Sequence, residues 1–263
     1  MQQRTALIGH TGFVGGTLDQ PGRFTDRYNS RSIDGIRGHR FDHVVCAGVS
    51  ARKWVANREP EADWAGIQRL IDALDAIKAR KFTLISTIDV YPDPSQPLDE
   101  TAVLDGLENH AYGRNRLRLE GWVRQRFPQA LMVRLPALFG PGLRKNALFD
   151  LLNDNQVDRI DPDGVYQWYP VERTWDDVER ARRHGLTLVN LFTEPVPMRD
   201  IIARFFPDAP VRPQAGDPIH YRLKTRYAAA FGAEGEYRLP AGAVLDGIGA
   251  FVAAERRRER DGA

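Results

Sequence analysis

The chain has 263 residues, 42% of them apolar and 27% charged, with a formal net charge of +2 at pH 7. That length suffices for one α/β domain with a full core plus a small appended lobe, and so weak a charge argues against a nucleic-acid surface. The lone Cys46 excludes an intrachain disulfide and a cysteine-based metal cluster, no apolar run nears the roughly 18 residues of a membrane span, and no basic segment with an apolar h-region opens the chain, so a soluble, cytoplasmic protein is expected.

Short apolar strands alternate with longer helical patterns. The first strand is expected at about Thr5 to Ile8, and Gly9-His10-Thr11-Gly12-Phe13-Val14-Gly15 follows it and leads into a helix-like segment. In that context Gly9 supplies a tight strand-to-helix turn, Gly12 lets backbone N–H groups approach a pyrophosphate, and Gly15 lets the helix pack closely on the sheet. A lone pattern of this kind equally suits an ordinary βα turn. Further strands are expected near Phe24 to Tyr28 and at His43 to Ala47, where Cys46 reads as a small buried hydrophobe. Only about fifteen residues run from Arg27 to the His43 strand, too few for a full crossover unit, so a βα element has been trimmed.

Trp64, Ile67, Leu70, Ile71, Leu74 and Ile77 fall at helical spacing and predict an amphipathic helix over Glu61 to Arg80. Phe82 to Ser86 supplies the next strand, Tyr112 to Arg126 the next helix and Ala130 to Leu135 another strand. This run of βα units predicts an α/β fold, a Rossmann-like doubly wound parallel sheet. Residues 1–140 form the expected dinucleotide-binding domain, with a returning strand near 186–192, and residues 141–263 a small, discontinuous substrate lobe. The cluster Arg256-Arg257-Arg258 with Arg260 is interleaved with Glu255, Glu259 and Asp261 and reads as a solvated helix end. The scattered histidines give no metal-site spacing, and Ser86 lacks the Gly-x-Ser-x-Gly elbow of a serine hydrolase.

Two further segments carry chemistry: Ile85-Ser86-Thr87-Ile88-Asp89-Val90-Tyr91 ends a strand, and Ala111-Tyr112-Gly113-Arg114-Asn115-Arg116 begins a helix. With the glycine pattern, these resemble the extended short-chain dehydrogenase/reductase family, which includes nucleotide-sugar epimerases, dehydratases and reductases. The resemblance covers the first half to two-thirds of the chain and extends weakly through Arg134 to Pro141, Trp175-Asp176-Asp177-Val178 and Val189-Asn190-Leu191. It places Thr87 at the residue that orients the substrate oxygen and Tyr112 at the catalytic acid/base. A phenol of ordinary pKa about 10 needs nearby positive charge to ionise near neutral pH, and Arg116 stands where the family carries a lysine. Arg116 would bias Tyr112 towards phenolate and touch the ribose. Alternatively, Tyr112 is an ordinary helix-start tyrosine and Arg116 an exposed partner of Glu120.

The same resemblance assigns Gly9, Thr11, Gly12, Phe13, Val14 and Gly15 to the pyrophosphate, Ala47 and Gly48 to a small-residue turn under the cofactor, and Tyr112, Arg116 and Leu135 to its further contacts. No acidic residue stands where an NAD-type site holds the ribose. Asn29, Ser30 and Arg31 suit a 2′-phosphate instead, which favours NADP over NAD, although Arg31 also reads as a solvated loop arginine. Asp63 replaces an asparagine common in relatives, either at a structural hydrogen-bond site or as a surface carboxylate. Arg144, Lys145, Tyr166, Trp168, Tyr169, Arg222 and Lys224 are candidates to bind a diphosphate and stack a base, or they pack and charge the lobe.

The implied function is an NAD(P)-dependent oxidoreductase or epimerase acting on a nucleotide sugar or a related polyol or carbonyl compound. The alternative is a non-catalytic NAD(P)-binding sensor or assembly subunit. No nucleic-acid or membrane partner is expected. The resemblance also implies a homodimer, with Leu117, Leu119 and Val123 of the Tyr112 to Arg126 helix as an apolar face.

Overall fold

A computed structural model describes residues 3–262. Its contacts divide the chain into two compact units. The first comprises the chain up to Pro92 with Val103–Arg134 and Thr174–Val189, and the second comprises Asp93–Ala102, Leu135–Arg173 and the chain from Asn190 on.

The first unit is built on β1 (Thr5–Ile8), β2 (Asp26–Tyr28), β3 (Arg40–Cys46), β4 (Lys78–Thr87) and β5 (Leu131–Leu135). These join a later strand, Leu188–Asn190, in a six-stranded sheet whose order runs β2, β1, β3, β4, β5 and then that strand. β1 pairs in parallel with both β2 and β3, and β3 with β4. The chain thus leaves β1 for one side and returns on the other, which puts a topological switch point between the ends of β1 and β3. Alternation along the strands sorts side chains to the two faces. Ala6, Ile8, Val44 and Cys46 join one buried cluster, and Leu7 and Val45 join another with Leu18 and Phe24. Between β2 and β3 there is only a single 3₁₀ turn, Ile33–Ile36, whose two isoleucines seal that edge.

The first four helices of this unit are α1 (Phe13–Leu18), α2 (Lys53–Arg58), α3 (Pro60–Asp75) and α4 (Ala111–Arg126). α3 starts with proline at its first position and carries Glu61 and Asp63 in its first turn, where a helix N-terminus favours acids. It buries Ile67, Leu70, Ile71 and Leu74 along one stripe. The helical period continues past Asp75 in sequence, but the chain from Lys78 is strand, because Arg40, Phe41 and His43 of β3 pair with Lys78, Ala79 and Lys81. Pairing with a neighbouring strand outweighs local periodicity there. Phe127 closes α4 by stacking on Phe82, with ring centroids 4.4 Å apart.

The second unit contains β6 (Ala137–Phe139), α5 (Ala147–Leu152), β7 (Val165–Tyr166) and β8 (Trp168–Pro170), and, after α6 (Thr174–Arg183) and β9 (Leu188–Asn190), it resumes with β10 (Val196–Pro197), α7 (Met198–Phe205) and α8 (Ala241–Gly262). α8 buries Val244, Leu245, Ile248, Phe251 and Val252 in a core shared with Trp168, Ile201 and Leu148. The arginines that follow are exposed, and Arg258 pairs with Glu255 one turn back.

Candidate active site

Gly9 follows β1 at φ +87°, a conformation costly for any residue with a Cβ. A Cβ there would lie 2.4 Å from the Ala47 carbonyl oxygen and 2.6 Å from the Gly48 Cα, so β1 and β3 end in direct backbone contact. One at Gly15 would lie 2.0 Å from the Gly9 oxygen, and one at Gly12 3.3 Å from it. Gly9, Gly12, Gly15, Ala47 and Gly48 therefore form one surface of bare backbone at the switch point. Gly12 caps α1, whose first N–H groups, at Phe13 and Val14, lack an intrahelical acceptor. Thr11 beside them is exposed.

Past β2, Asn29 accepts the Arg31 N–H at 2.9 Å and meets His10 at 3.4 Å, which fixes the 29–32 loop against the glycine turn. Ser30 and Arg31 are exposed there. Leu135, at the end of β5, is buried.

The second group gathers at the end of β4. Thr87 caps the 3₁₀ turn Ile88–Val90: its Oγ1 accepts the Asp89 N–H at 3.2 Å and donates to Asp89 Oδ2 at 3.1 Å. Helix α4 begins at His110, whose Nδ1 accepts the Gly113 N–H at 3.0 Å. Gly113 is required because a Cβ would lie 2.0 Å from the Asp89 carbonyl oxygen. This close approach brings Tyr112 to Thr87, with which its phenol hydrogen-bonds. The Tyr112 N–H is taken by Asn57 Oδ1 of α2 at 2.9 Å.

Arg116 lies one turn further along α4, its guanidinium carbon 3.9 Å from the centre of the Tyr112 ring. It is 4% exposed, so it is not the surface partner of Glu120 that the i,i+4 spacing allows. One nitrogen bonds Asp63, another donates to the Ser50 carbonyl at 2.5 Å, and Nε is buried without a partner among the described residues. Asp63 is likewise no surface carboxylate, since it also accepts from Asn115 at 2.9 Å. Through Ser50, Arg116 ties α4 to the chain leaving the Ala47–Gly48 turn. Glu120 itself is fully buried and bonds Ser86 at 2.5 Å and Arg134 at 2.6 Å, while Arg134 donates to the Tyr91 hydroxyl at 2.9 Å. Despite burial, Glu120 and Tyr91 hold the Arg134 guanidinium firmly protonated.

Arg116 does bias Tyr112 towards phenolate, but the rest of its surroundings outweigh it. Burial pushes the Tyr112 phenol up to about 12; Arg116 and the Thr87 hydrogen bond pull it down, but the Asp89 and Asp63 charges raise it. Tyr112 is therefore a neutral donor in this form. Asp89 shows the reverse: burial works to raise its carboxyl, yet the nearby His110 ring and the Lys53 ammonium outweigh it and hold the group at about 2. Lys53 Nζ lies 2.5 Å from Asp89 Oδ1. Neither residue stood out as a site candidate, for a lysine in a polar stretch carries no signal of its own, and Asp89 was visible only as part of the Thr87 to Tyr91 segment.

Among the second unit's candidates, Trp168 and Tyr169 are 2% and 0% exposed, so neither can stack a base. Lys224 is engaged by Glu236 at 2.6 Å, and Arg144 and Arg222 are exposed. Tyr166 lines a cavity of about 410 Å³ with Gln156, Arg159, Asp161 and Gln214. The expected dimer face of α4 is also corrected, because Leu119 and Val123 are buried in the unit's own core.

Comparison with known proteins places this geometry in context. The model of the NAD dependent epimerase/dehydratase family matches residues 23–159, a span that starts after the glycine turn. No curated protein matches the sequence. Among solved structures, UDP-glucose 4-epimerase from Thermotoga maritima, with UDP-glucose, is similar at 16% identity and a TM-score of 0.73, covering 97% of this chain and 99% of that one. RMD from Pseudomonas aeruginosa, complexed with NADPH, is 19% identical with a TM-score of 0.68, covering 97% of this chain and 100% of that one. The Bordetella bronchiseptica enzyme WbmG, in complex with NAD and UDP, is 14% identical with a TM-score of 0.73, covering 97% and 95%. At these identities the likeness shows the fold, and the fold is Rossmann-like. Among the described residues no helix is long and apolar enough to cross a membrane.

Proposed function

This chain belongs to the NAD-dependent epimerase/dehydratase family, and from that premise we propose that it moves a hydride between a nicotinamide dinucleotide and a nucleotide sugar, with Tyr112 transferring the accompanying proton. The observation that carries the reading is the buried meeting of Thr87, Tyr112 and Arg116. The residues present fit a dinucleotide: the bare backbone at Gly9, Gly12, Gly15, Ala47 and Gly48 admits a pyrophosphate, and the N–H groups opening α1 offer it donors. When bound, the nicotinamide supplies the hydride acceptor or donor.

The roles of the chain's own residues follow from their surroundings. Tyr112 is held neutral and gives its proton to a substrate carbonyl oxygen as that oxygen gains charge. Thr87 shares the hydrogen bond that orients the phenol. Arg116, fixed by Asp63 and Ser50, places a positive charge under the ring and stabilises the phenolate left behind. Asp63 and Ser50 take two of its five N–H donors, and Nε–H, which has no partner among the described residues, is one of those left for a ribose hydroxyl.

For the 2′-phosphate of NADP, the exposed Arg31 on the loop pinned by Asn29 is the receptor, and Ser30 beside it adds a hydroxyl. The nucleotide-sugar class is supported by the molecules bound in similar structures, UDP-glucose in one and UDP in another. Titration of the protein with NADPH and NADH tests the cofactor assignment. Arg31→Ala is expected to weaken NADPH by about tenfold and leave NADH unchanged, and a wild-type preference for NADH contradicts it.

A further inference from the structure

Two ion pairs enclose Tyr112. Arg116 with Asp63 of α3 forms the first, and Lys53 of α2 with Asp89, on the turn after β4, forms the second. The remaining groups facing the phenol are Thr87, the His110 ring, whose centroid lies 6.3 Å from that of Tyr112, and Asn57, which holds the Tyr112 backbone. Asp89 thus receives three neighbours. Lys53 donates to Oδ1 at 2.5 Å, His110 Nε2 faces the same oxygen at 3.7 Å, and the Thr87 hydroxyl donates to Oδ2 at 3.1 Å. Because His110 Nδ1 accepts the Gly113 N–H, a neutral His110 ring carries its proton on Nε2, towards Asp89.

Thr87 has one hydroxyl proton and two possible takers, the Asp89 carboxylate and the Tyr112 oxygen. An uncompensated carboxylate would keep that proton and would repel negative charge on Tyr112. A carboxylate neutralised by a lysine is a weaker competitor and leaves the Thr87 proton free to turn towards the phenol oxygen as it becomes anionic. We propose that Lys53 is a positioning residue for Tyr112, acting through Asp89 and Thr87 to cancel the carboxylate's charge and release the Thr87 hydroxyl to the phenolate. The inference rests on the reading of Tyr112 as the proton-transfer group.

Burial of the site agrees with this division of labour. Asp89 is 17% exposed and close to the phenol, whereas Lys53 is 44% exposed and reaches it only through Asp89. Lys53 is therefore within reach of solvent, and its ammonium is paired with Asp89 and not with the phenol.

The test is a titration of the full-length protein labelled with carbon-13 at the tyrosine ring Cζ, with the Tyr112 resonance identified by its loss in Tyr112→Phe. Asp89→Asn removes the carboxylate charge beside the phenol and is expected to lower the Tyr112 midpoint by about one pH unit. An ordinary lysine loses its proton near about 10.4, below that midpoint, so the cation is tested as Lys53→Arg, which stays charged throughout and is expected to titrate Tyr112 about one pH unit below Lys53→Met. In the Asp89→Asn background the same exchange of arginine for methionine is expected to move the midpoint by less, because no carboxylate is left to cancel. A merely structural role would give Lys53→Arg and Lys53→Met the same midpoint, and that result overturns the inference. The titration needs neither cofactor nor substrate. A wild-type protein that transfers no hydride would instead overturn the proposed function while leaving the difference between Lys53→Arg and Lys53→Met in place.

Discussion

At the Gly9 to Gly15 turn the geometry is set by what is missing, whereas around Tyr112 it is set by charged side chains that must be buried together. In the first region three strand and helix ends meet through backbone alone, and a single Cβ at Gly9 or Gly15 would stand within 2.4 Å of a carbonyl oxygen. In the second, Arg116, Asp63, Asp89 and Lys53 enclose one phenol from three helices and a turn. The difference teaches where a site's chemistry is written. A backbone constraint is local and shows in the spacing of glycines, but the charge balance at an acid/base residue depends on partners tens of residues away.

The largest expected effect falls on the charged region. Tyr112→Phe keeps the ring over Arg116 and removes the proton, so turnover should drop by about 10²- to 10⁴-fold with dinucleotide affinity unchanged, as steady-state kinetics and a binding titration will read. A comparable loss of affinity would move the phenol from chemistry to binding. Next comes the ion pair behind the site. Arg134 and Glu120 are 3% and 0% exposed, and Arg134→Met strands a buried carboxylate. It should lower unfolding free energy in urea by about 3–5 kcal/mol, and Glu120→Leu added to it should recover part of that loss.

The glycine region answers with a smaller effect. Gly15→Ala forces apart α1 and the Gly9 carbonyl, and should cost about 1–3 kcal/mol in urea while abolishing NADPH binding at concentrations that saturate wild type. Retained binding would mean that the turn can give way, contrary to its contacts.

The fold was legible in sequence wherever one element sufficed to define it. Short apolar runs located β1, β3, β4 and β5, and the glycine spacing located the turn that joins β1 to α1. The sequence reading ran α3 on to Arg80 because Ile77 keeps the helical period, and only the pairing of Arg40 with Lys78 shows otherwise. At the site, Thr87, Tyr112 and Arg116 stood out through the resemblance of their two segments to the extended short-chain dehydrogenase/reductase family. The pairing of Arg116 with Asp63 was not, because α3 and α4 are separated by the whole of β4 and a long loop. Lys53 carried no signal at all, since nothing local distinguishes a lysine that will meet a buried carboxylate from one that will meet water.

The smallest effect belongs to β3, the strand that delivers the Ala47–Gly48 turn. Burial, with the Arg182 and Lys81 charges, holds the His43 imidazole down at about 3, against an ordinary value of 6.5. Between those values the unfolded chain binds a proton that the folded chain refuses. Stability is therefore fully present above pH 6.5 and falls as pH drops towards 3. Lowering the pH from about 6.5 to about 5 should cost about 2 kcal/mol through this group, and His43→Gln should flatten that part of the pH–stability curve. An unchanged slope would show that the ring is protonated in the fold.

The central claim, that this chain couples a bound dinucleotide to proton transfer by Tyr112, is tested most directly by following the reduced nicotinamide's absorbance while a panel of UDP- and dTDP-linked sugars and their keto forms is added. The account predicts that wild type gains or loses that absorbance with at least one of them and that Tyr112→Phe, which still binds the dinucleotide, does so at least a hundredfold more slowly, as removal of an acid/base group costs about 10²-fold or more. A wild-type protein that binds NADPH and exchanges hydride with none of them would contradict it.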